Sequence, residues 1–421
     1  MNTIKFLKSA PISADNFCSD LVSLRTDLFS KGVCWTDDVQ GKFEPSKPFR
    51  VILYPRNGSA DFKNPMLKEC NGLVVEYNNE WKVLAMPLGA FCTNKISFKK
   101  LADLHGSDMY DVYEVLDATM ITLYFYKGEW RIASSKGYDI GSTNMIKGMT
   151  FMEAVHDLME TKYKSFKFED LNKECSYTIA LRHSKYHIFD ETKHLANRTK
   201  HVPRPGVDMN SYLIVMSVVN TLTGSRMSKH VPGLPYQSPL TMKENNIHTL
   251  TKYASSAYAK YAKAYRLDNF KYKPLYGYIL RAKYKSVPSE YSTIYIESEL
   301  YRVIKAGLYK DNRAIRNMDY DKLVIQMSMN HDRYEQYRIL FQQFDSKFAD
   351  LDAAIESVAA EVIQRIVASE EAKSTSEEED PIQQLLAELT EQFKNEPDVS
   401  TGVIKDAIYS KKHAERLFAL L

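Results

Sequence analysis

The sequence predicts an α+β protein, a strand-rich part followed by an all-helical C-terminal part, and two observations carry that prediction. Residues 112–126 run through β-branched and aromatic types, Lys127-Gly128-Glu129 supplies a turn, and residues 130–134 form a second extended run. Together they spell a β-hairpin. Beyond Leu308 the apolar spacing turns helical, over residues 320–344 and 348–367.

Taken in order, residues 1–34 have loosely helical spacing, with a helix start at Ser13 or Asp15. Residues 49–54 read as a strand closed by a Pro55 and Asn57-Gly58 turn, residues 65–76 as a turn running into a strand, and residues 81–94 as a further extended segment. Phe151, Val155, Leu158 and Met159 share one helical face, with Thr150 as its N-cap. Residues 177–190 read as a strand pair and residues 211–224 as a strand ending in a Thr-Gly turn. Residues 369–380 are an acidic low-complexity stretch, expected to be a mobile loop. Pro381 opens another helix through Phe393, and Ser400 or Thr401 begins the last.

Composition narrows the class. A charged fraction of 26% beside 44% hydrophobic residues is that of a soluble globular protein, and no run approaches the roughly 18 apolar residues of a membrane span. A cytoplasmic protein with no membrane partner is therefore expected. The five cysteines, Cys18, Cys34, Cys70, Cys92 and Cys175, are odd in number and far apart, which favours reduced thiols over disulfides or zinc. His183 and His187 are four apart, a spacing that suits a metal only on a helix, so no metal site is expected there.

The net charge of +3 is unevenly spread. Residues 251–310 hold twelve Lys or Arg, four Asp or Glu and twelve tyrosines. Cations for phosphates and aromatic faces for bases are what single-stranded nucleic acid requires. The plainer alternative is a helix over residues 253–265 whose tyrosines pack and whose lysines are solvated. A second basic group, Arg182, Lys185, Lys193, Arg198, Lys200 and Arg204, reads as a basic surface loop, and from the two groups the candidate nucleic-acid contacts are Arg182, Lys185, Arg198, Lys200, Lys271, Tyr272, Lys273, Arg281 and Lys283.

Several segments also carry a resemblance. Val115-Leu116-Asp117-Ala118-Thr119 sits where ATP-dependent RNA ligases of the phage and viral type (the T4 RNA ligase 1-like family) have Lys-x-Asp-Gly-[Ser/Thr]. Gly72, Leu73, Pro87, Phe91 and Asn94 match the family's Glu-x-Arg-Gly-Leu and Arg-Pro-x-x-Lys-Phe-x-Asn segments, and residues 177–190, 211–224, 273–283 and 292–301 resemble its later strands. The match covers about residues 50–305, which implies an RNA-ligase-like nucleotidyltransferase domain over residues 1–310, with antiparallel sheets and flanking helices. A helical domain over residues 311–421 would follow.

The resemblance also shows what is missing. In the family the lysine attacks ATP and holds AMP as a phosphoramide, which requires an amine with its pKa lowered from ~10.4. Val115 has none. The family's other ATP- and metal-handling positions carry Asn71, Met86, Ala90, Ala118, Ala180, Tyr276, Tyr295 and Glu297, the last reversing charge where phosphates would lie. Asp117 and Thr119 survive and suit hydrogen bonding in a turn or strand. Lys136 matches a basic family position and is the candidate for residual phosphate contact.

The expectation is a catalytically inactive RNA-ligase-like protein that binds nucleic acid, in the first place RNA, as a viral or phage accessory factor. Other viral or phage proteins would be further partners. No cofactor is expected. ATP and Mg2+ enter only under the first alternative, an active ligase using a displaced lysine. The second alternative is a structural or assembly protein that reuses the fold.

Overall fold

The computed structural model describes residues 1–56, 64–89, 92–93, 109–189, 210–228, 230–240, 247–266, 274–283, 293–309, 312–368, 381–396 and 399–409. The chain divides into two compact units, Met1–Tyr301 and Arg302–Leu421. The strands, all in the first, are β1 (Val33–Asp37), β2 (Phe49–Pro55), β3 (Leu73–Asn78), β4 (Glu80–Ala85), β5 (Cys92–Thr93), β6 (Tyr110–Glu114), β7 (Thr119–Tyr126), β8 (Glu129–Ala133), β9 (Asn144–Ile146), β10 (Met149–Thr150), β11 (Cys175–Arg182), β12 (Tyr212–Asn220), β13 (Gly277–Ala282) and β14 (Thr293–Glu297).

Strands β1 to β4 form an antiparallel sheet in chain order. Alternation decides its two faces. Phe49, Val51, Leu53, Val75 and Val83 bury against the helices Asn2–Ser9 and Phe17–Ser30, while Ile52, Val74 and Leu84 pack with Tyr124, Tyr126 and Ala133 of the next sheet. The second helix begins later than the sequence suggests, because Ser13 is already engaged. Its N–H and hydroxyl both donate to the Asp20 carboxylate, at 2.8 and 3.0 Å, which leaves the chain non-helical until Phe17.

The central sheet has the order β12-β11-β7-β8, antiparallel throughout. The β7–β8 hairpin turns on two residues, Lys127 and Gly128, with φ of 50° and 89°, between the paired Tyr126 and Glu129. Left-handed backbone at both positions matches the twist of the strands they join. The helix Phe151–Thr161 covers one face of this sheet with Phe151, Ala154, Val155 and Leu158. Thr150 caps it reciprocally with Glu153: the Glu153 N–H donates to Thr150 Oγ1 at 3.2 Å, and the Thr150 N–H to Glu153 Oε2 at 2.7 Å. Residues 177–190 hold one strand rather than two. After Arg182 the chain turns back through His183, whose carbonyl accepts from the N–H groups of Tyr186 and His187, and β11 pairs instead with β12 and β7.

The third sheet, β5-β14-β13-β6, is antiparallel except for the short parallel pair β5–β14. Its Tyr110, Val112, Tyr278, Leu280, Ile294 and Ile296 bury against the helix Ile247–Ser255. The extended run over residues 112–126 is thus two strands in two sheets. Chain leaves the third sheet at Glu114 and enters the central one at Thr119.

The second unit is helical in all its described parts. Helices Arg313–Asn317, Tyr320–Ser328, Tyr334–Leu340, Asp345–Val367, Pro381–Phe393 and Thr401–Ile408 bury Ile315, Leu323, Met327, Tyr337, Phe348, Ile355, Leu385, Leu389 and Ile404. The expected helix over residues 320–344 is interrupted after Ser328. Ser328 bonds back to the Ile325 carbonyl, and the following Asn330, His331 and Asp332 are poor helix formers. Ser400 accepts from the Val403 N–H and starts the last helix. The acidic stretch 369–380 lies outside the described residues.

Candidate functional site

The crossing from the third sheet to the central one, Val115 to Ala118, is where the site residues meet. The Val115 N–H donates to the Gly277 carbonyl at 3.0 Å and so extends the β6–β13 ladder by one rung. Its side chain is buried. Leu116 and Ala118 pack with Leu88, Ala180, Met216 and Ile214, and Ala180 sits in β11 between Met120 and Ile214 of its neighbours. A contiguous apolar patch therefore surrounds the crossing.

Asp117 is the exception, a carboxylate only 1% exposed. It is paired with Arg182 at the end of β11, which is 0% exposed. Arg182 Nη1 donates to Asp117 Oδ2 at 2.6 Å and to the Asp117 carbonyl at 2.8 Å. Nη2 donates to the carbonyls of Phe189 at 2.6 Å and His187 at 3.3 Å, and Nε to that of Asn210 at 2.9 Å. An ion pair this deep persists because the remaining donors are also satisfied. His187 completes the centre: the His183 N–H donates to its Nδ1 at 3.2 Å, leaving Nε2 to reach Thr119 Oγ1 at 3.4 Å. Burial pushes the His187 imidazole down to about 4, so it is neutral at physiological pH.

Tyrosines cover the other side. The Tyr301 hydroxyl donates to Asp117 Oδ1 at 3.3 Å, and the Tyr276 and Tyr301 rings meet at 5.1 Å. Phe189 bridges Tyr276 and Tyr261 with centroids 6.3 and 5.9 Å away. The Tyr295 hydroxyl donates to Glu297 Oε1 at 3.3 Å. Burial first, and then the nearby carboxylates, hold the Tyr295 and Tyr301 hydroxyls protonated, well above the ordinary tyrosine range. Five residues singled out by sequence, Val115, Asp117, Tyr276, Tyr295 and Glu297, thus fall in one region with Ala180 in the adjoining apolar patch. Tyr301 and His187 belong there too. The first could have been noticed, since it lies four residues beyond Glu297 in the same matched segment.

The candidate nucleic-acid contacts separate into three groups. Lys185 and Lys283 are exposed, the latter with Nζ 3.8 Å from Asp111 Oδ1. Arg182 and Arg281 are not surface cations: the first is the internal partner of Asp117, and the second is 7% exposed with its guanidinium over the Tyr113 ring at 4.6 Å. Arg198, Lys200, Lys271, Tyr272 and Lys273 lie outside the described residues, as does Ala90. Lys136 is exposed, with Nζ 5.9 Å from the Tyr54 ring. Asn71 turns its amide to the Leu88 carbonyl at 3.4 Å, and Met86 borders the core of the first sheet. Among the described residues no cluster of three or more His, Cys, Asp or Glu could hold a metal, and no helix is long and apolar enough to cross a membrane.

No protein-family model matches the chain. It is 23% identical over 350 residues to a protein of African swine fever virus (strain Badajoz 1971 Vero-adapted) described as "Putative RNA-ligase", covering 76% of this chain and 74% of that one. A protein of the same description from isolate Pig/Kenya/KEN-50/1950 is 22% identical over 344 residues, covering 74% and 71%. Among solved structures, an archaeal ATP-dependent RNA ligase aligns over 80% of this chain and 79% of its own at 10% identity and a TM-score of 0.39. A structure described as a putative ATP-dependent DNA ligase from Aquifex aeolicus aligns at 12% identity and a TM-score of 0.37, over 80% and 79%. By its sequence likeness across three-quarters of its length, the protein is RNA-ligase-like, and these sequence relatives are viral.

Proposed function

We propose that the protein is a catalytically inactive RNA-ligase-like protein that binds nucleic acid, RNA in the first place, as a viral accessory factor. The observation that carries this is the crossing at Val115. A hydrocarbon side chain stands where the family's nucleophilic lysine would, its backbone is locked to Gly277, and the neighbouring carboxylate is committed to Arg182 and Tyr301. Attack on an α-phosphate needs an amine lone pair. The tyrosines at 276 and 295 and the carboxylate at 297 offer a triphosphate no cation.

For binding, the support is electrostatic. Helices Ile247–Ser255 and Ala257–Arg266 present the exposed Lys252, Lys260, Lys263 and Arg266 in a stretch without one acidic residue, and Lys260 lies over the ring of exposed Tyr253 at 4.6 Å. Tyr261 is spent on the core instead. Cations beside an accessible ring suit an unpaired strand.

The test has two arms. Incubated with labelled ATP and magnesium or manganese, then denatured, the protein is expected to carry no label while an active ligase control does; label on a mapped lysine would overturn the inactive reading. In titrations of single-stranded RNA, affinity is expected to fall with salt, and replacing Lys252, Lys260, Lys263 and Arg266 with alanine should lower the log–log slope by roughly 0.7 for each phosphate that is no longer neutralised. RNA binding that is absent, or indifferent to salt, would defeat the second half.

A further inference from the structure

A cavity of about 210 Å³ lies in the first unit, bounded by β12, β13 and the segment after β4, whose Leu88 also belongs to the apolar patch at the crossing. Three of its lining residues are cationic, Lys68, Arg226 and Arg281, and two, Ser217 and Thr293, bring hydroxyls. Arg281 is the informative one. It is 7% exposed, yet its Nη2 has no hydrogen-bond partner among the described residues. A guanidinium buried in that way carries a desolvation cost that protein groups have not offset. Burial and the charge of Arg226 bring it down to about 10, against the partial support of Tyr113 and Asp111.

The acidic groups nearby are engaged elsewhere. Glu69, the carboxylate on the wall, accepts from the Asn2 N–H at 3.0 Å and from the Thr3 N–H and hydroxyl, both at 2.8 Å. Asp111, opposite Arg281 in the β6–β13 register, lies 3.8 Å from Lys283 Nζ. Two arginines that repel each other across a cavity, one with an idle donor, are complementary to a compact multivalent anion. Gly89 keeps the wall close: a Cβ there would stand 3.0 Å from the Lys68 carbonyl.

We propose that this cavity binds a phosphate group, gripped by Arg281 together with Arg226 and Lys68. None of these three is among the positions that the resemblance singled out, although one of those, Met86, lines the wall. The site is therefore supplied by this chain's own cations, and none of them comes from the lysine-bearing helices.

Calorimetric titration of the full chain tests it, first with inorganic phosphate, then with a 5′-phosphorylated trinucleotide and its 5′-hydroxyl counterpart, at constant ionic strength. Saturable binding of a phosphate source is expected, weakened about tenfold or more by Arg226→Ala and by Arg281→Met. Arg226 is exposed, so its variant settles the matter even where the buried substitution disturbs folding. Binding of inorganic phosphate as tight as the phosphorylated trinucleotide identifies a free-ion site, and binding of the phosphorylated but not the hydroxyl form identifies a phosphate ester. No saturable binding of either source by protein with a normal melting transition would overturn the proposal. So would binding that both variants leave unchanged.

Discussion

Two buried arginines on neighbouring sheets meet opposite fates. Arg182 ends β11 with its Nε and both Nη atoms spent on Asp117 and on four backbone carbonyls, and it is fully enclosed. Arg281, near the end of β13, is almost as deeply buried but rests on a ring face and keeps Nη2 idle beside a second arginine. The first is a closed structural device, because every donor has an acceptor and the charge is neutralised within the chain. The second is an open one. Burial alone does not distinguish a scaffold from a binding site; an unmet charged donor on the wall of a cavity does.

The largest effect should come from breaking the closed device. Arg182→Met leaves Asp117 charged in a dry place and four carbonyls without that donor, and it is expected to cost about 3–5 kcal/mol of folding stability. The double variant Asp117→Leu with Arg182→Met should recover much of that loss, because no charge is then stranded. Chemical denaturation of the three proteins measures it. A single variant within about 1 kcal/mol of the parent would show that the pair holds nothing together.

Next in size is the pH dependence of the same centre. His187 is lowered from its ordinary 6.5 to about 4 by burial, so the unfolded chain takes up a proton that the folded one refuses. Its contribution is fully present above about pH 6.5 and is lost as pH falls toward 4. At about 1.4 kcal/mol per unit this reaches roughly 3 kcal/mol at the acid end. Denaturation midpoints at about pH 7.5 and about pH 5 should differ accordingly, and His187→Gln should flatten the difference. An unchanged slope in that variant would move the acid sensitivity to another group.

How much of this could be read from the chain varies with the kind of signal. The β7–β8 hairpin was legible because Lys127-Gly128 and the flanking alternation are local, and so were the Thr150 cap, the Pro381 start and the Ser400 cap. The crossing at Val115 was not, since Glu114-Val-Leu-Asp-Ala-Thr119 contains no glycine or proline to mark a change of sheet. Family resemblance drew attention to that segment, yet without showing that Asp117 would pair with Arg182. Both arginines looked like surface cations for the same reason. A strand reveals which residues share a face, but β11 is buried at all eight positions and offers no outer face for a charge.

The smallest expected effect is also the sharpest contrast. Arg281→Met removes a cation over the Tyr113 ring, an interaction worth about 0.5–1 kcal/mol where partly hydrated and more when dry. It also removes a buried charge with an unmet donor and the repulsion from Arg226, which works the other way. The two nearly cancel, so phosphate-free stability should stay within about 1 kcal/mol of the parent, against several for Arg182→Met. The difference should then appear in the ligand dependence: phosphate should raise the melting temperature of the parent, by mass action on the folded state, and raise that of Arg281→Met much less at the same concentration. If Arg281→Met proved as damaging as Arg182→Met in phosphate-free buffer, Arg281 would belong with the scaffold, and the distinction drawn from its idle donor would fail.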